Sequence, residues 1–355
     1  MTIQRFKDSK IQRFIFYLII CLILNSVMYA DIKFSKVGTT CAQFLKISVG
    51  RASGMGDAFV AIADDASAAY FNPAGLSQLN MREGLFSHIN WIADLNHDYI
   101  SMALPVQRLG TIAFSATALT MGEMERLMID DPKTSVREDT ATGLYFNAMD
   151  LALAVSYGRQ ITDKLSFGFS TKAISQSIWN MSATGAAFDF GLFYNTGYKS
   201  LRLGAVITNF GTAMSFSGLG LEFQDTTVKT KPRAVYKTTP TNLPTTFRFG
   251  IAYNFIETPN DVLTAALDLT HPNDINETIN VGLEYAFRKQ LFLRAGYILN
   301  TDLEYAEALK YTTGLSAGVG AKFDLKTGMN LRLDYCYRDM GWLKGTHRVI
   351  LGIEF

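Results

Sequence analysis

The histidines and cysteines have the widest chemical use in this chain, and their spacing argues against a catalytic or metal-binding centre. The four histidines are His88, His97, His271 and His347, and none stands at metal-ligand spacing from another or from a cysteine. No Cys-x-x-Cys, His-Glu-x-x-His or phosphate-binding glycine loop occurs. His97 or His347 beside a serine would suit hydrolysis, but a chain of this length supplies such pairs by chance. We therefore expect no enzyme activity, no metal and no cofactor.

Charged side chains form a second group, because they recur in the middle of apolar, alternating segments. They share a side with glycine and alanine, opposite the large apolar residues of the same segments: Arg248, Glu284, Arg332, Asp334 and Arg348. Successive side chains of a strand point to opposite faces, so these charges are predicted to lie on one common inner face. Cross-strand ion pairs would explain them, and a path for a polar substrate is the open alternative.

The elements that position these charges are strands, as the last ten residues show. One face of 346–355 is apolar and ends on Phe355, while the other is largely polar or small. The same alternation predicts fourteen strands, at 83–91, 96–105, 109–120, 147–159, 165–178, 184–196, 201–210, 245–256, 261–271, 277–288, 291–299, 314–324, 330–339 and 346–355.

The connections between these strands separate into two kinds. Short turns join every second pair, whereas all the long connections, at 121–146, 211–244 and 300–313, fall on the other side. Outer-membrane barrels keep short turns in the periplasm and long loops outside. The sequence thus predicts an all-β protein, a transmembrane antiparallel β-barrel of about fourteen strands over residues 83–355, in the outer membrane of a Gram-negative-type bacterium.

A soluble β-sandwich would also alternate. Aromatic residues near strand ends, such as Tyr157, Tyr285 and Phe287, favour the barrel because they suit the girdles at the two membrane interfaces. A terminal Phe355 favours it as well, and it predicts recognition of the last strand by the barrel-assembly machinery.

The first thirty residues have the layout of a secretory signal peptide. Four basic residues precede an uncharged run at 14–24, which is too short to span a membrane as a helix. Removing residues 1–30 takes away four positive charges and one negative, so the net charge falls from +1 to −2. No basic excess points to nucleic acid. Cys41 and Cys336 remain, and the sequence leaves open whether they pair.

Residues 31–82 do not alternate and are predicted to form a compact plug in the barrel lumen. Asp64 and Asp65 precede a short helix predicted at 66–70, and turns follow it. The motif residues of this segment are Gly54, Gly56, Asp57, Asp64, Asp65, Asn72, Pro73 and Gly75. Irregular backbone at membrane depth must be enclosed by protein, and a polar barrel wall offers that enclosure.

These motifs resemble the N-terminal signature of the PorV/PorQ family, in Gly54 to Phe59, Ala63 to Ala68 and Asn72 to Leu76. The Asn-Pro-Ala-Gly element is also similar to that of FadL-type (OMPP1/FadL/TodX) transporters. Both resemblances imply a fourteen-stranded outer-membrane barrel with an N-terminal hatch.

Two functions follow from the resemblance. PorV/PorQ implies a non-enzymatic accessory of type IX secretion or surface attachment, with secreted proteins or secretion-system subunits as partners besides membrane lipid. FadL implies passive uptake of long-chain fatty acids or other hydrophobic molecules. Apolar residues of the loops could bind either a secreted protein or a hydrophobic small molecule. They are Met121, Met124, Met128, Trp179, Met181, Met214 and Phe216.

Overall fold

A computed structural model describes residues 36–129, 139–224, 233–300, 314–325 and 328–355. The signal peptide predicted at 1–30 lies outside the described residues. Residues 37–355 form one compact unit. Within the described ranges, no helix has the length and apolar character needed to cross a membrane.

Fourteen antiparallel strands close into a barrel, which confirms the predicted fold class. Each strand pairs with the next along the chain, and the last pairs with the first. They are β1 (Glu83–Asn90), β2 (Asn96–Val106), β3 (Gly110–Thr120), β4 (Ala148–Gln160), β5 (Leu165–Ile178), β6 (Met181–Asn195), β7 (Arg202–Gly211), β8 (Thr246–Glu257), β9 (Val262–Pro272), β10 (Thr278–Phe287), β11 (Leu291–Asn300), β12 (Leu315–Asp324), β13 (Asn330–Asp339) and β14 (Gly345–Glu354).

The remaining described elements are short. Small strands in the connections are Met124–Ile129 paired with Asp139–Phe146, Glu222–Gln224 paired with Arg233–Val235, and Ser217–Gly218 on β6. The single described α-helix is Ala68–Phe71, and 3-10 helices cover Gln43–Lys46, Gly50–Met55, Pro73–Gln78, Ile92–Asp94, Leu219–Leu221 and Gly341–Leu343. The helix predicted at 66–70 therefore begins two residues later than expected.

The outer wall exposes large apolar side chains, whereas the inner wall carries mostly small or polar side chains and a few buried apolar ones. On β14, Val349 is 55% exposed while the neighbouring Ile350 is fully buried, and Ile100 of β2 is 56% exposed. A closed barrel has no unpaired edge, so an apolar outer belt fits a lipid environment and not water.

The two ends of the barrel differ as the sequence predicts. The described connections at 107–109, 161–164, 196–201, 258–261 and 288–290 form a short-turn end, together with the connection between β12 and β13. The strands β3, β7 and β11 end at the opposite, long-loop end, at Thr120, Gly211 and Asn300, and the chain segments to the next strands are longer. In outer-membrane barrels the short turns face the periplasm.

The lumen is filled by residues 37–82, which run from the long-loop end to the short-turn end. The Val37 amide donates to the Asn273 carbonyl in the β9–β10 connection, at 2.9 Å. At the other end, the Arg82 amide donates to the Phe355 carbonyl. Below we call residues 37–47 the strap and residues 48–82 the plug body.

Candidate functional site: the luminal plug and an apolar chamber

Glycines of the barrel wall form close-fitting seats for the plug body. A Cβ atom on Gly296 of β11 would lie 2.0 Å from the Gly56 nitrogen, and one on Gly282 of β10 would lie 2.5 Å from the Met55 carbonyl oxygen. Gly56 itself has φ +60°, a left-handed conformation that favours glycine. Gly54 lies two residues earlier, against Cys336 and Gly318. The first motif thus packs backbone to backbone against the wall.

A second seat holds the Asn-Pro-Ala-Gly element. Gly158, Gly168 and Gly191 lie in register across β4, β5 and β6, and a Cβ on Gly168 would lie 2.0 Å from the Ala74 nitrogen. The Asn72 side chain accepts from the Ala74 amide and donates to two carbonyls, those of Val60 and Leu192. Pro73 opens the 3-10 helix that follows, where its missing N–H costs nothing.

Gly75 completes this element inside the plug, since a Cβ there would lie 2.1 Å from the Ala63 carbonyl oxygen. Every motif glycine is therefore needed for close approach. These contacts hold the plug body in place. Residues 72–75 of the motif are all buried.

The motif aspartates bind arginines. Asp57 accepts from Arg338 of β13 at 2.6 Å, and Asp65 accepts from Arg51 at 2.7 Å and from Arg332 at 2.8 Å. Asp64 pairs with the same Arg51. Two of these three carboxylates therefore meet on one guanidinium group.

Arg51 is the hub of this network, and no sequence pattern predicted this role. Besides Asp64 and Asp65, it contacts Glu284 of β10 at 3.0 Å, and its side chain is only 6% exposed. Glu284 also pairs with Arg294 at 2.6 Å. Arg51 and Glu284 are 233 residues apart in sequence, so no local pattern could predict the pair.

Three of the five predicted luminal charges, Glu284, Arg332 and Asp334, join this network. Asp334 lies 2.6 Å from Arg294 and 3.1 Å from Arg332. The expected ion pairs of wall and plug are therefore present. Because each of these charges has a partner of opposite sign, this part of the lumen is a polar, ion-paired scaffold.

The other two predicted charges, Arg248 and Arg348, pair with no carboxylate in the described part of the chain. The Arg248 guanidinium lies 5.8 Å from the ring centroid of Phe71, and its Nε has no hydrogen-bond partner. Arg348 is fully buried, and its Nη1 donates to Thr346 at 2.9 Å. For Arg348, the expectation of a cross-strand ion pair is wrong, because its neighbours on β1 and β13 in this register are Ile89 and Cys336.

Above the charged network, towards the long-loop end, lies an apolar cluster that we call the chamber. Its buried residues come from the strap (Ala42, Phe44, Leu45, Ile47), the wall (Ile89, Ala152, Ile174, Ala183, Ala187) and the 212–245 connection (Met214, Leu243). Partly buried Trp91 and Phe216 pack against it. The strap thus fills the chamber with its own side chains.

Polar contacts tie the strap to the long-loop end. Thr40, Gln43 and Lys46 all bind the Asp274 carboxylate in the β9–β10 connection, at 2.8 to 2.9 Å. Burial alone would raise the pKa of Asp274, but the hydrogen bonds from Gln43, Lys46 and Thr40 outweigh it and hold this pKa below its ordinary value. A single carboxylate therefore anchors one side of the strap.

Neither the histidines nor the cysteines form a centre among the described residues. His88, His271 and His347 contact Asp98, Glu277 and Tyr335 respectively, and no group of three ligand-type side chains is placed to hold a metal. Cys41 and Cys336 are both free thiols.

The comparisons by sequence reach only part of the chain. Residues 26–145 match an uncharacterised protein family, UPF0164. No curated protein sequence matches the chain. The match covers the plug and the first three strands.

Solved structures match almost the whole chain. The Pseudomonas putida toluene transporter TodX has a TM-score of 0.50 at 12% identity, covering 91% of this chain and 98% of its own. The Ralstonia pickettii toluene transporter TbuX also has a TM-score of 0.50, at 14% identity, covering 85% and 96%. A Pseudomonas aeruginosa FadL homologue has a TM-score of 0.47 at 12% identity, covering 87% and 98%.

At these identities the likeness to TodX and TbuX concerns the fold. The chain shares the barrel architecture of TodX and TbuX, with fourteen strands, and its apolar belt fits the outer-membrane location predicted from the sequence. The predicted link to PorV/PorQ is not confirmed by these comparisons.

Proposed function

We propose that this protein is a passive, non-enzymatic channel that takes up small hydrophobic molecules at the cell surface. The observation that carries the proposal is the chamber, an apolar volume beneath the long loops that is occupied by the strap's own side chains. A hydrophobic ligand could replace Phe44 and Leu45 without exposing the wall to water. The architecture shared with two toluene transporters supports this reading.

The plug body is a poor candidate for the moving part. It is seated on wall glycines and tied by Arg51, Arg332 and Arg338 to buried carboxylates. The strap has fewer ties. Its side-chain hydrogen bonds join Thr40, Gln43 and Lys46 to Asp274, Cys41 to Thr241 and Asn242, Ala42 to Gln176, and Leu45 and Ile47 to Tyr70. Access to the chamber thus requires movement of residues 37–47 and leaves 72–75 in place.

The loops offer a first contact for such ligands. Leu219, Tyr236 and Trp179 are exposed apolar side chains at the long-loop end. Exposed apolar area of this kind also fits a protein partner, and it is the one observation that favours the secretion-accessory function. Because the chamber lies directly beneath these loops, uptake is the better supported of the two.

The test is saturable binding of a fluorescent long-chain fatty acid to the purified protein in detergent, with toluene as competitor. Phe44→Ala removes an aromatic ring that the ligand must displace, so affinity should rise by roughly tenfold, the scale of burying one large apolar side chain. Phe59→Ala is the matched control, since Phe59 is equally buried but belongs to the plug-body core. Its affinity should equal that of the wild type.

Two results would count against uptake. Binding no stronger than to empty micelles removes the channel function and leaves capture of secreted proteins by the loops as the next experiment. Equal effects of Phe44→Ala and Phe59→Ala would show that the ligand does not enter the chamber.

A further inference from the structure

An open cleft of about 620 Å³ lies at the short-turn end, away from the chamber. The end of the plug body, the β2–β3 turn, the last residues of β4 and Phe355 line it. Its charged side chains are Arg82, Arg108 and Arg159, and no aspartate or glutamate side chain lines it. Even with the carboxylate of Phe355 counted, positive charge is in excess.

These three arginines are exposed, and within the described chain their guanidinium groups bind nothing. Two other basic side chains at the same end, Lys164 and Arg288, do have partners. Lys164 donates to the Thr196 carbonyl at 3.2 Å, and the Arg288 guanidinium lies 5.3 Å from the Phe287 ring centroid. The cleft therefore brings together three positive charges that have no partner within the described chain.

Strand alternation places two of the three on the membrane side of the rim. Glu83 and Gly158 are buried towards the lumen, so the adjacent Arg82 and Arg159 point outward. The outward rows of the same strands continue into the apolar belt. A molecule that touches these arginines is thus next to lipid.

The belt above the cleft is continuous across three strands. Met102, Phe114 and Val155 lie in register on β2, β3 and β4, and they are 42%, 51% and 45% exposed. Positive charge at the rim and apolar wall above it form the two-part surface that an anionic amphiphile fits.

We propose that Arg82, Arg108 and Arg159 bind the phosphate of a phospholipid in the periplasmic leaflet, whose acyl chains lie on Met102, Phe114 and Val155. The planar guanidinium fork matches phosphate geometry and binds it through charge-assisted hydrogen bonds. The site is independent of uptake through the chamber, since it lies at the opposite end of the barrel.

Native mass spectrometry of the protein in neutral detergent, titrated with phosphatidylglycerol, tests this site. The variant is Arg82→Gln, Arg108→Gln, Arg159→Gln. The matched control is Lys164→Gln, Lys199→Gln, Arg288→Gln, which removes the same charge from the same end. We expect one tightly held lipid on the wild type, affinity weakened at least about tenfold in the variant, and a change within about twofold in the control.

Equal losses in both triple variants would overturn the proposal, because general attraction to the charged end would then explain the binding. Diacylglycerol, which lacks the phosphate, should bind weakly, and equal binding would remove the role of the arginines. Inorganic phosphate distinguishes the source of the anion. If millimolar phosphate saturates the site and phosphatidylglycerol does not compete, the lipid assignment is wrong.

Discussion

Arg51 is the single residue on which the charged half of the lumen depends, because it joins Asp64, Asp65 and Glu284. Arg51→Met leaves Asp64 without its arginine and leaves Asp65 and Glu284 with one arginine each, Arg332 and Arg294. Breaking buried pairs of this kind costs up to about 3 to 5 kcal/mol. We expect the free energy of unfolding, measured by denaturant titration in detergent, to fall by that amount.

Lys322→Met is the matched control for Arg51→Met. The Lys322–Glu354 pair is also luminal, but its side chains are 25% and 22% exposed. A partly exposed pair contributes about 1 kcal/mol or less. Equal losses in the two variants would show that Arg51 is not the hub.

In the proposed uptake, Asp274 is the residue that holds the strap over the chamber. Asp274→Asn weakens its hydrogen bonds to Thr40, Gln43 and Lys46, so the open strap becomes more populated. Stopped-flow binding of a fluorescent fatty acid should be roughly three- to tenfold faster than in the wild type. An unchanged rate would place the barrier to entry elsewhere.

The same carboxylate sets the pH dependence of entry. The pKa of Asp274 lies below its ordinary value of 3.8, so the latch is fully present above that value and is lost as the pH falls through the lowered one. The wild-type rate should stay constant from about pH 8 to about pH 5 and rise only in stronger acid. Asp274→Asn should lack this rise. Because the Asp274→Asn variant keeps the His271–Glu277 contact on the same connection, that contact cannot account for a difference in rate between the variant and the wild type.

At the residue scale, strand alternation predicted which charged side chains face inward. Their partners could not be predicted, because they lie far away in the sequence. Glu284, Arg332 and Asp334 could be assigned to the lumen because they alternate with apolar residues. Their common partner Arg51 lies in a segment without periodicity. The strap could not be found either, since its contacts with Asp274 join residues more than 200 positions apart.

At the element scale, the strands were predictable because a half-buried strand in lipid must alternate strictly. The predicted strand at 165–178 coincides with β5, Leu165–Ile178. The plug body was harder, because 3-10 turns of three to six residues carry no period. The glycines of the plug body could be recognised in the sequence as part of a motif. Only the structure shows that close contacts require Gly54, Gly56 and Gly75.

The glycine seats give an element-scale prediction. In Gly296→Val the new side chain would overlap Gly56 and Met55, whereas β-branched residues are favoured in strands, so the barrel should form with a displaced plug body. Cys336 is a natural reporter because it is fully buried beneath Gly54. In a Cys41→Ser background, maleimide should label Cys336 several-fold faster in Gly296→Val.

Gly84→Val provides the comparison for Gly296→Val. Gly84 is also a strand glycine, but a Cβ there would meet no atom within 4 Å. Its labelling rate should match that of the wild type. Equal acceleration in both variants would mean that loosening of the barrel, and not loss of the seat, exposes Cys336.

At the scale of the whole molecule, the lumen has a long-loop half that holds the apolar chamber, with the buried Arg348 beside its Trp91, and a short-turn half that holds the Arg51 ion-pair network. An apolar ligand that replaces Phe44 and Leu45 gains nothing from the ion pairs below, and the seated plug body keeps that half closed. Ligand binding should therefore leave ion conductance across a planar bilayer at its baseline. Gly296→Val should raise the conductance without ligand, because it unseats the plug body and opens the polar half to water and ions. Stepwise conductance on adding ligand to the wild type would instead mean that the plug body moves with the strap, and that the two halves of the lumen act as one gate.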